Sequence, residues 1–358
     1  MTSGRDFPLK IVVLAGGLSP ERNVSLSSGT KVSQALRDLG HDVALVDLYF
    51  GLEDYPGLEP EGLYSAPPPA QWRSVERQAP DLAAVRARRR WRGKGAFGPG
   101  VLELCAKADI VFLALHGQCG EDGKVQAALE LLDIPYTGSG YLGSAIAMDK
   151  DLTKRLVKGV VNTPAWTFRK YTAEEIDSLA EGTELPCVVK PVDSGSSIGV
   201  AIAHTRQELR SALAQGLEQG GRCVLEKYVK GREIQVGILD GEALPPIEII
   251  PREGFYDYEN KYQPGAAEEV CPAPLTPEQT AEVCKFAAAV FAVLGLEVYA
   301  RADFILDGDG RFWFLEINTL PGMTPTSLMP QEAAAAGMDY PALCQHIIDS
   351  SLRLERKV

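Results

Sequence analysis

RADFILDGDGRFWFLEIN, residues 301–318, consists of two runs alternating between apolar and polar residues, joined by Asp307-Gly308-Asp309-Gly310. Gly-Asp-Gly turn chemistry between alternating runs predicts a β-hairpin. A turn at 307–310 would set Asp303 across from Phe314 and Arg301 across from Glu316. Side chains alternate faces along a strand. Arg301, Asp303, Glu316 and Asn318 then share one face, while Ala302, Phe304, Leu315 and Ile317 face a core. Two carboxylates and an amide oxygen are hard ligands suited to Mg²⁺. An exposed, salt-bridged sheet face would show the same pattern. The arginine on that face and Asn318-Thr319-Leu320-Pro321-Gly322 directly after it favour a site.

Upstream, Pro186–Pro191 and Ile198–Ala203 read as strands flanking Val192-Asp193-Ser194-Gly195-Ser196-Ser197. A small-residue loop of this kind can offer backbone N–H groups and hydroxyls to phosphates, with Lys190 as an adjoining cation. A serine-rich hairpin turn is the plainer alternative, and no G-x₄-G-K-[ST] loop occurs. Lys150 is a second candidate cation, although a helix lysine is ordinarily exposed. Further strands are expected at Arg222–Val229, Ile234–Leu239 and Ile247–Ile250, in an antiparallel pattern. Glu226 and Glu233 could accept from a nucleotide's amino group and ribose, although surface carboxylates are usually solvated. The polar stretch Phe255–Pro274 is long enough to suggest function, and a helix is expected over Pro277–Leu294.

The amino-terminal part has another grammar. Lys10–Ala15 (KIVVLA) and Val43–Leu48 are short buried-type strands with a helix between them from near Arg22 to Gly40, a parallel βαβ unit. Residues 50–100, with Pro67-Pro68-Pro69 and an arginine run from Arg86 to Arg92, read as an irregular surface insertion containing one short helix. The arginines fit a solvated loop better than an anion site. Ala108–Leu115 is another strand, followed by the loop His116–Gly123, a helix over Lys124–Leu132 and a single helix over Tyr141–Val160. Glu21 and His116 both follow parallel strands, where open α/β sheets place ligands; a favourable helix-dipole charge for Glu21 and a hydrogen-bonded strand-end histidine for His116 are the plainer alternatives. No Ser-His-Asp order or HExxH motif supports a triad hydrolase or a zincin.

Of 358 residues, 45% are hydrophobic and 23% charged, with a formal charge of −12. The acidic balance argues against a broad nucleic-acid surface. No apolar run approaches the ~20 residues of a membrane span. Met1–Lys10 lacks the pattern of a secretory leader. Seven scattered cysteines without a CxxC pair suggest reduced thiols in a cytosolic protein.

Taken in order, GGLSPERNVSLSSG (16–29), LHGQCGEDGKVQ (115–126), PYTGSG (135–140), MDK (148–150), VVKPVDSGSSIGV (188–200), FYDYENKY (255–262) and residues 301–328 resemble the D-alanine–D-alanine ligases of the ATP-grasp superfamily. The resemblance implies an α/β chain, α+β in its later domains, with an ATP-grasp fold behind a parallel α/β domain. The implied domains are 1–138 (with the insertion 50–100), 139–225, and 226–358 with the metal site and a mobile loop at 255–274. It places Lys150, Lys190, Glu226, Tyr228, Val229, Glu233 and Lys261 on ATP. Asp303, Glu316 and Asn318 would hold two Mg²⁺ ions, for which Mn²⁺ could substitute, and a monovalent cation is a further candidate. Glu21 would engage the ammonium of the first D-alanine, near His116. Ser196 and Tyr262 would link to Glu21. Arg301 and the Gly322 N–H would stabilise the tetrahedral oxyanion, and Ser327 and Leu328 would bind the second substrate. The implied reaction joins two D-alanines through an acyl phosphate for peptidoglycan precursor synthesis, with loop 255–274 closing to exclude water. Tyr262 and Leu328 accompany D-alanine as nucleophile, and D-lactate or D-serine is the alternative. A cytoplasmic homodimer with no nucleic-acid or membrane partner is expected. Gln118-Cys119 departs from the familiar pattern, and the insertion has no implied role.

Overall fold

A computed structural model describes residues 8–73, 79–195, 199–252 and 267–356. The first sheet is parallel, in the order β2-β1-β3, from β1 (Lys10–Ala15), β2 (Asp42–Asp47) and β3 (Ile110–Leu113). Its strands are apolar throughout and buried, as expected of a parallel sheet covered on both faces. Helix α1 (Arg22–Asp38) makes the first crossover. It lies so close that a Cβ on Gly29 would stand 2.7 Å from Ala15 Cβ.

The 50–100 segment is less superficial than its composition suggests. It contains 3₁₀ turns at Gly51–Asp54, Pro60–Tyr64 and Ala70–Arg73, and a short helix α2 (Leu82–Arg88) capped by Asp81. Tyr55, Leu63 and Trp72 are buried in the core of the first sheet. The apolar residues among its prolines and glycines have no regular period, which hid their inward direction. The chain continues through α3 (Val101–Cys105) and α4 (Lys124–Glu130).

The single helix expected over Tyr141–Val160 is two: α5 (Tyr141–Met148) and α6 (Lys150–Leu156). Asp149 between them is extended, and its carboxylate accepts from the N–H groups of Asp151 and Leu152. An aspartate satisfies the orphan donors at a helix start, so this cap begins a new helix at Lys150.

The second sheet is antiparallel, in the order β4-β7-β5-β6: β4 (Trp166–Lys170), β5 (Cys187–Pro191), β6 (Ala201–Ala203) and β7 (Arg222–Lys227). Helices α7 (Ile176–Gly182) and α8 (Arg206–Glu218) cover one face, burying Ala180, Leu209 and Leu213 against Cys187, Val189 and Leu225. The third sheet runs β11-β10-β8-β12-β13, with β9 at its side. Its strands are β8 (Gly231–Leu239), β9 (Glu242–Ala243), β10 (Ile247–Pro251), β11 (Ala267–Val270), β12 (Tyr299–Asp307) and β13 (Phe312–Asn318). Of the loop expected at 255–274, residues 255–266 lie outside the described residues, and Ala267–Val270 is a strand paired with β10. Helix α9 (Pro277–Val293) backs this sheet, followed by α10 (Leu328–Ala335) and α11 (Tyr340–Ser351). Helix α11 returns to the first domain, where Leu343, Cys344, Ile347 and Ile348 join the core of the parallel sheet.

The hairpin β12–β13 differs from the expected register. Leu306 pairs with Phe312, so Arg311 belongs to the turn, and a bulge between Asp303 and Phe304 shifts the register again. Asp303 therefore faces Glu316, and Arg301 faces Asn318. Asp307 organises the turn by accepting from the N–H groups of Asp309 and Arg311. Arg301, Asp303, Glu316 and Asn318 still share one face, while Phe304 and Phe314 pair in the core. Leu315, expected in the core, lines the cleft between the second and third sheets. A bulge places two residues against one and re-aims the extra side chain.

Candidate active site

The second and third sheets enclose a cavity of about 390 Å³. Lys150, Lys190, Glu226, Tyr228 and Val229 line it together with Glu233, Asp303 and Glu316. Apolar walls come from Val188, Val200, Ile202, Ile249 and Leu315. A concave, largely apolar cleft with a few convergent charges suits a nucleotide. A smaller cleft lined by Glu121, Gly195 and Asn318 shares Lys150, Ser194 and Glu316 with it.

Within the large cleft, Glu226 carries two lysines. Lys190 Nζ lies 2.8 Å from one carboxylate oxygen and Lys154 Nζ 3.1 Å from the other. Burial alone would raise the Glu226 pKa, but the two ammonium groups outweigh it and hold it below the usual range. Burial acts first on Lys190 as well, yet Glu226 and Glu316 prevail and raise its pKa. On Lys154 burial prevails and lowers it. Glu226, read from sequence as a direct nucleotide acceptor, has both oxygens committed to lysines. Lys154 was missed by sequence reading. Its signal was the four-residue spacing from Lys150, which puts both on one helix face.

Lys150, at the start of α6, reaches Ser194 O at 2.6 Å and Glu316 Oε2 at 3.3 Å. It therefore ties the 192–195 turn to the hairpin face. Ser196, in the same loop, lies outside the described residues, as do Lys261 and Tyr262.

On that face Arg301 holds Asp303 through Nε at 2.9 Å and Nη2 at 3.1 Å, and Asn318 Nδ2 donates to Asp303 at 3.3 Å. Asp303 and Glu316 are directly paired, so their carboxylates and the Asn318 amide present oxygen donors at one place. This hard, partly anionic donor set fits Mg²⁺ or Mn²⁺ shared with a phosphate. Among the described residues no group of three or more His, Cys, Asp or Glu side chains forms a metal site.

The first domain closes on this region. Glu21 is buried, and its Oε2 lies where a Cβ on either Gly117 or Gly195 would approach within 2.7 Å. The carboxylate is thus enclosed between two glycines, one from each side of the cleft. His116 is buried, and its Nδ1–H donates to Leu320 O at 2.9 Å. That bond leaves Nε2 as the acceptor nitrogen, 3.5 Å from Ser28 Oγ. Burial lowers the His116 pKa, against the opposing charge of Glu21. Glu121, given no role by the sequence, accepts from Gly117 N at 2.8 Å and Leu320 N at 3.2 Å. Burial, followed by the nearby Glu21 charge, raises its pKa to about 8. Glu121 therefore joins the His116 loop to the segment following β13.

Ser327 and Leu328 begin α10. Ser327 Oγ accepts from Thr324 N at 3.1 Å, and a Cβ on Gly322 would stand 3.0 Å from it. Leu328 packs with Ile247 and Ile249. The structure thus brings Lys150, Lys190, Glu226, Tyr228, Val229, Glu233, Asp303 and Glu316 to one cavity. Arg301 and Asn318 lie on its hairpin face, and Glu21 and His116 on the first-domain side. All seven cysteines are free thiols.

This geometry agrees with comparisons to known proteins. Residues 10–139 match the family model for the D-ala D-ala ligase N-terminus, and residues 159–349 the model for the D-ala D-ala ligase C-terminus. The chain is 40% identical over 341 residues to a D-alanine–D-alanine ligase of Pediococcus pentosaceus, covering 95% of this chain and 97% of that one. It is 39% identical to that of Aquifex aeolicus over 342 residues, covering 95% of this chain and 100% of the other. Among solved structures, the Bacillus anthracis D-alanine–D-alanine ligase complexed with ATP superposes with a TM-score of 0.71 at 33% identity, covering 97% of this chain and 98% of that one. The protein is a member of the D-alanine–D-alanine ligase family, with the ATP-grasp fold.

Proposed function

We propose that this chain joins two D-alanine molecules into D-alanyl-D-alanine at the expense of ATP, supplying a peptidoglycan precursor. The observation that carries this reading is the convergence of Lys150, Lys190, Asp303 and Glu316 on one cavity, with Arg301 on the adjoining hairpin face. A carboxylate does not lose oxygen to an amine until it is activated. In-line attack of the first D-alanine carboxylate on the γ-phosphate forms an acyl phosphate and ADP. Lys150 and Lys190 neutralise phosphate charge. Asp303, Glu316 and Asn318 would hold two Mg²⁺ ions, or Mn²⁺ in their place. Bound there, the ions supply charge neutralisation at the phosphates.

Glu21 receives the ammonium of the first D-alanine in the enclosed position between Gly117 and Gly195, beside His116. The second D-alanine enters at Ser327 and Leu328, and its neutral amine attacks the acyl carbon. Arg301 and the Gly322 N–H stabilise the tetrahedral oxygen, an electrostatic role that preorganised donors perform well. Phosphate then leaves. The roles of Ser196, Lys261 and Tyr262 belong to this proposal by resemblance alone, as does a monovalent cation.

The domain division at 138/139 and 225/226 is part of the same reading. Each sheet falls within one segment to within two residues. A homodimer is supported by the exposed Leu131 and Leu132 just beyond α4 and the exposed Tyr141 and Leu142 at the start of the neighbouring α5. A cytoplasmic location belongs to the same reading, supported by the dependence on ATP. No helix among the described residues is long and apolar enough to cross a membrane. The test is ADP and phosphate release with D-alanine, L-alanine, D-serine and D-lactate, coupled to product mass. One dipeptide of D-alanine per ADP is expected, whereas a D-lactate ester as the main product would overturn the reading.

A further inference from the structure

Glu332, on α10, has no place in the chemistry above, yet its side chain is fully buried. Oε1 accepts from Gly237 N at 2.8 Å, whereas Oε2 has no hydrogen-bond partner among the described residues. An interior carboxyl oxygen left without a partner is costly, and such groups call for a use in some state of the molecule.

Its surroundings indicate that use. A Cβ on Gly237 would lie 2.8 Å from Glu332 Oε2, so the glycine makes room for the carboxyl. Gly237 pairs directly with Arg301 across β8 and β12. Directly opposed residues project from the same face with Cβ positions roughly 5 Å apart. Glu332 therefore delivers a carboxyl oxygen to the face from which the Arg301 side chain rises. Burial raises the Glu332 pKa well above the usual range, against the Gly237 N–H and the Arg301 charge, and the Asp303 charge adds to the rise. Arg301 meanwhile spans both oxygens of Asp303, at 2.9 and 3.1 Å. Those are the oxygens a divalent cation needs, so the ion pair and the cation compete for one carboxylate.

We propose that Glu332 is a positioning residue that offers the Arg301 guanidinium a second acceptor, letting it leave Asp303 when a divalent cation takes that carboxylate. The relocated guanidinium is then held beside the second-substrate end of the site, since Glu332 sits one turn beyond Leu328. The inference rests on the reading of Asp303 as a cation ligand.

Mn²⁺ binding in the presence of ADP, followed by electron paramagnetic resonance, tests it without turnover. Glu332→Gln keeps an amide oxygen for Gly237 N but weakens the acceptor offered to Arg301. It should bind Mn²⁺ about five- to tenfold more weakly than the wild type. In an Arg301→Ala background the same substitution should have no effect, because no guanidinium remains to relocate. Gly237→Ala, which pushes Oε2 from its position, provides a second variant should Glu332→Gln fold poorly, with the same direction expected. Unchanged affinity in the variant, or an equal loss in both backgrounds, overturns the proposal. Absence of Mn²⁺ binding in the wild type overturns the cation reading itself, and the proposal with it.

Discussion

Lys190 Nζ stands 2.8 Å from Glu226 Oε2 in the wall of the cleft between the second and third sheets, and Lys154 occupies the other carboxylate oxygen at 3.1 Å. Glu226 thus acts as the counter-charge that lets two lysines sit in a buried wall. Removing one member of a buried ion pair costs about 3–5 kcal/mol because the remaining charge is uncompensated. Glu226→Gln should therefore lower the Tm and raise the KM for ATP together. A variant with wild-type Tm and ATP KM would contradict this role.

Arg301 is the cation proposed to stabilise the tetrahedral oxygen. Loss of one oxyanion donor typically costs about 10²–10³ in turnover. Arg301→Ala should fall in that range while its circular dichroism spectrum stays native. Near-normal turnover would reject the assignment.

Gly195 separates effects on substrate from effects on folding. A Cβ there would meet Glu21 Oε2 at 2.7 Å. That oxygen is at the end of a flexible side chain, so the fold can yield at little cost. The carboxylate it displaces is the one proposed to hold the first ammonium. Gly195→Ala should leave the Tm near that of the wild type and raise the KM for the first D-alanine by roughly tenfold, about 1.4 kcal/mol. An unchanged KM would place that ammonium elsewhere.

Glu121 gives a pH signature. Its pKa is about 8 in the folded protein against an ordinary 4.5. Between those values the folded state binds more protons than the unfolded chain, so this group's contribution to stability is present below the lower value and is lost as pH rises through the upper. Glu121→Gln removes that contribution. Denaturant unfolding across the window should show a shallower decline of stability with pH in the variant, and identical slopes would contradict the assignment.

Much of this was legible in the residues. The alternation within 301–318 revealed the hairpin and the shared face of Arg301, Asp303, Glu316 and Asn318, because the partner of Asp303 is displaced by two residues, from Phe314 to Glu316, and an even displacement leaves the faces unchanged. The register itself was not legible. The bulge at Asp303 and Phe304 arises from the pairing of Phe304 with Phe314 in the core, a tertiary demand that alternation does not encode. The break at Asp149 could have been read from its capping potential, but the apolar residues on either side continue a helical period. Lys154, Glu121 and Glu332 resemble ordinary surface charges in sequence. Only the packing of other elements over them makes them buried, and burial gives them their chemistry.

The central claim is that a D-alanine carboxylate oxygen is transferred to phosphate before the peptide bond forms. D-alanine labelled with ¹⁸O in both carboxyl oxygens, turned over with unlabelled ATP, tests it directly by mass analysis of the released phosphate. The account predicts one ¹⁸O in each phosphate for every dipeptide made. Phosphate free of label alongside dipeptide formation would show that the carboxylate is never phosphorylated, and would contradict it.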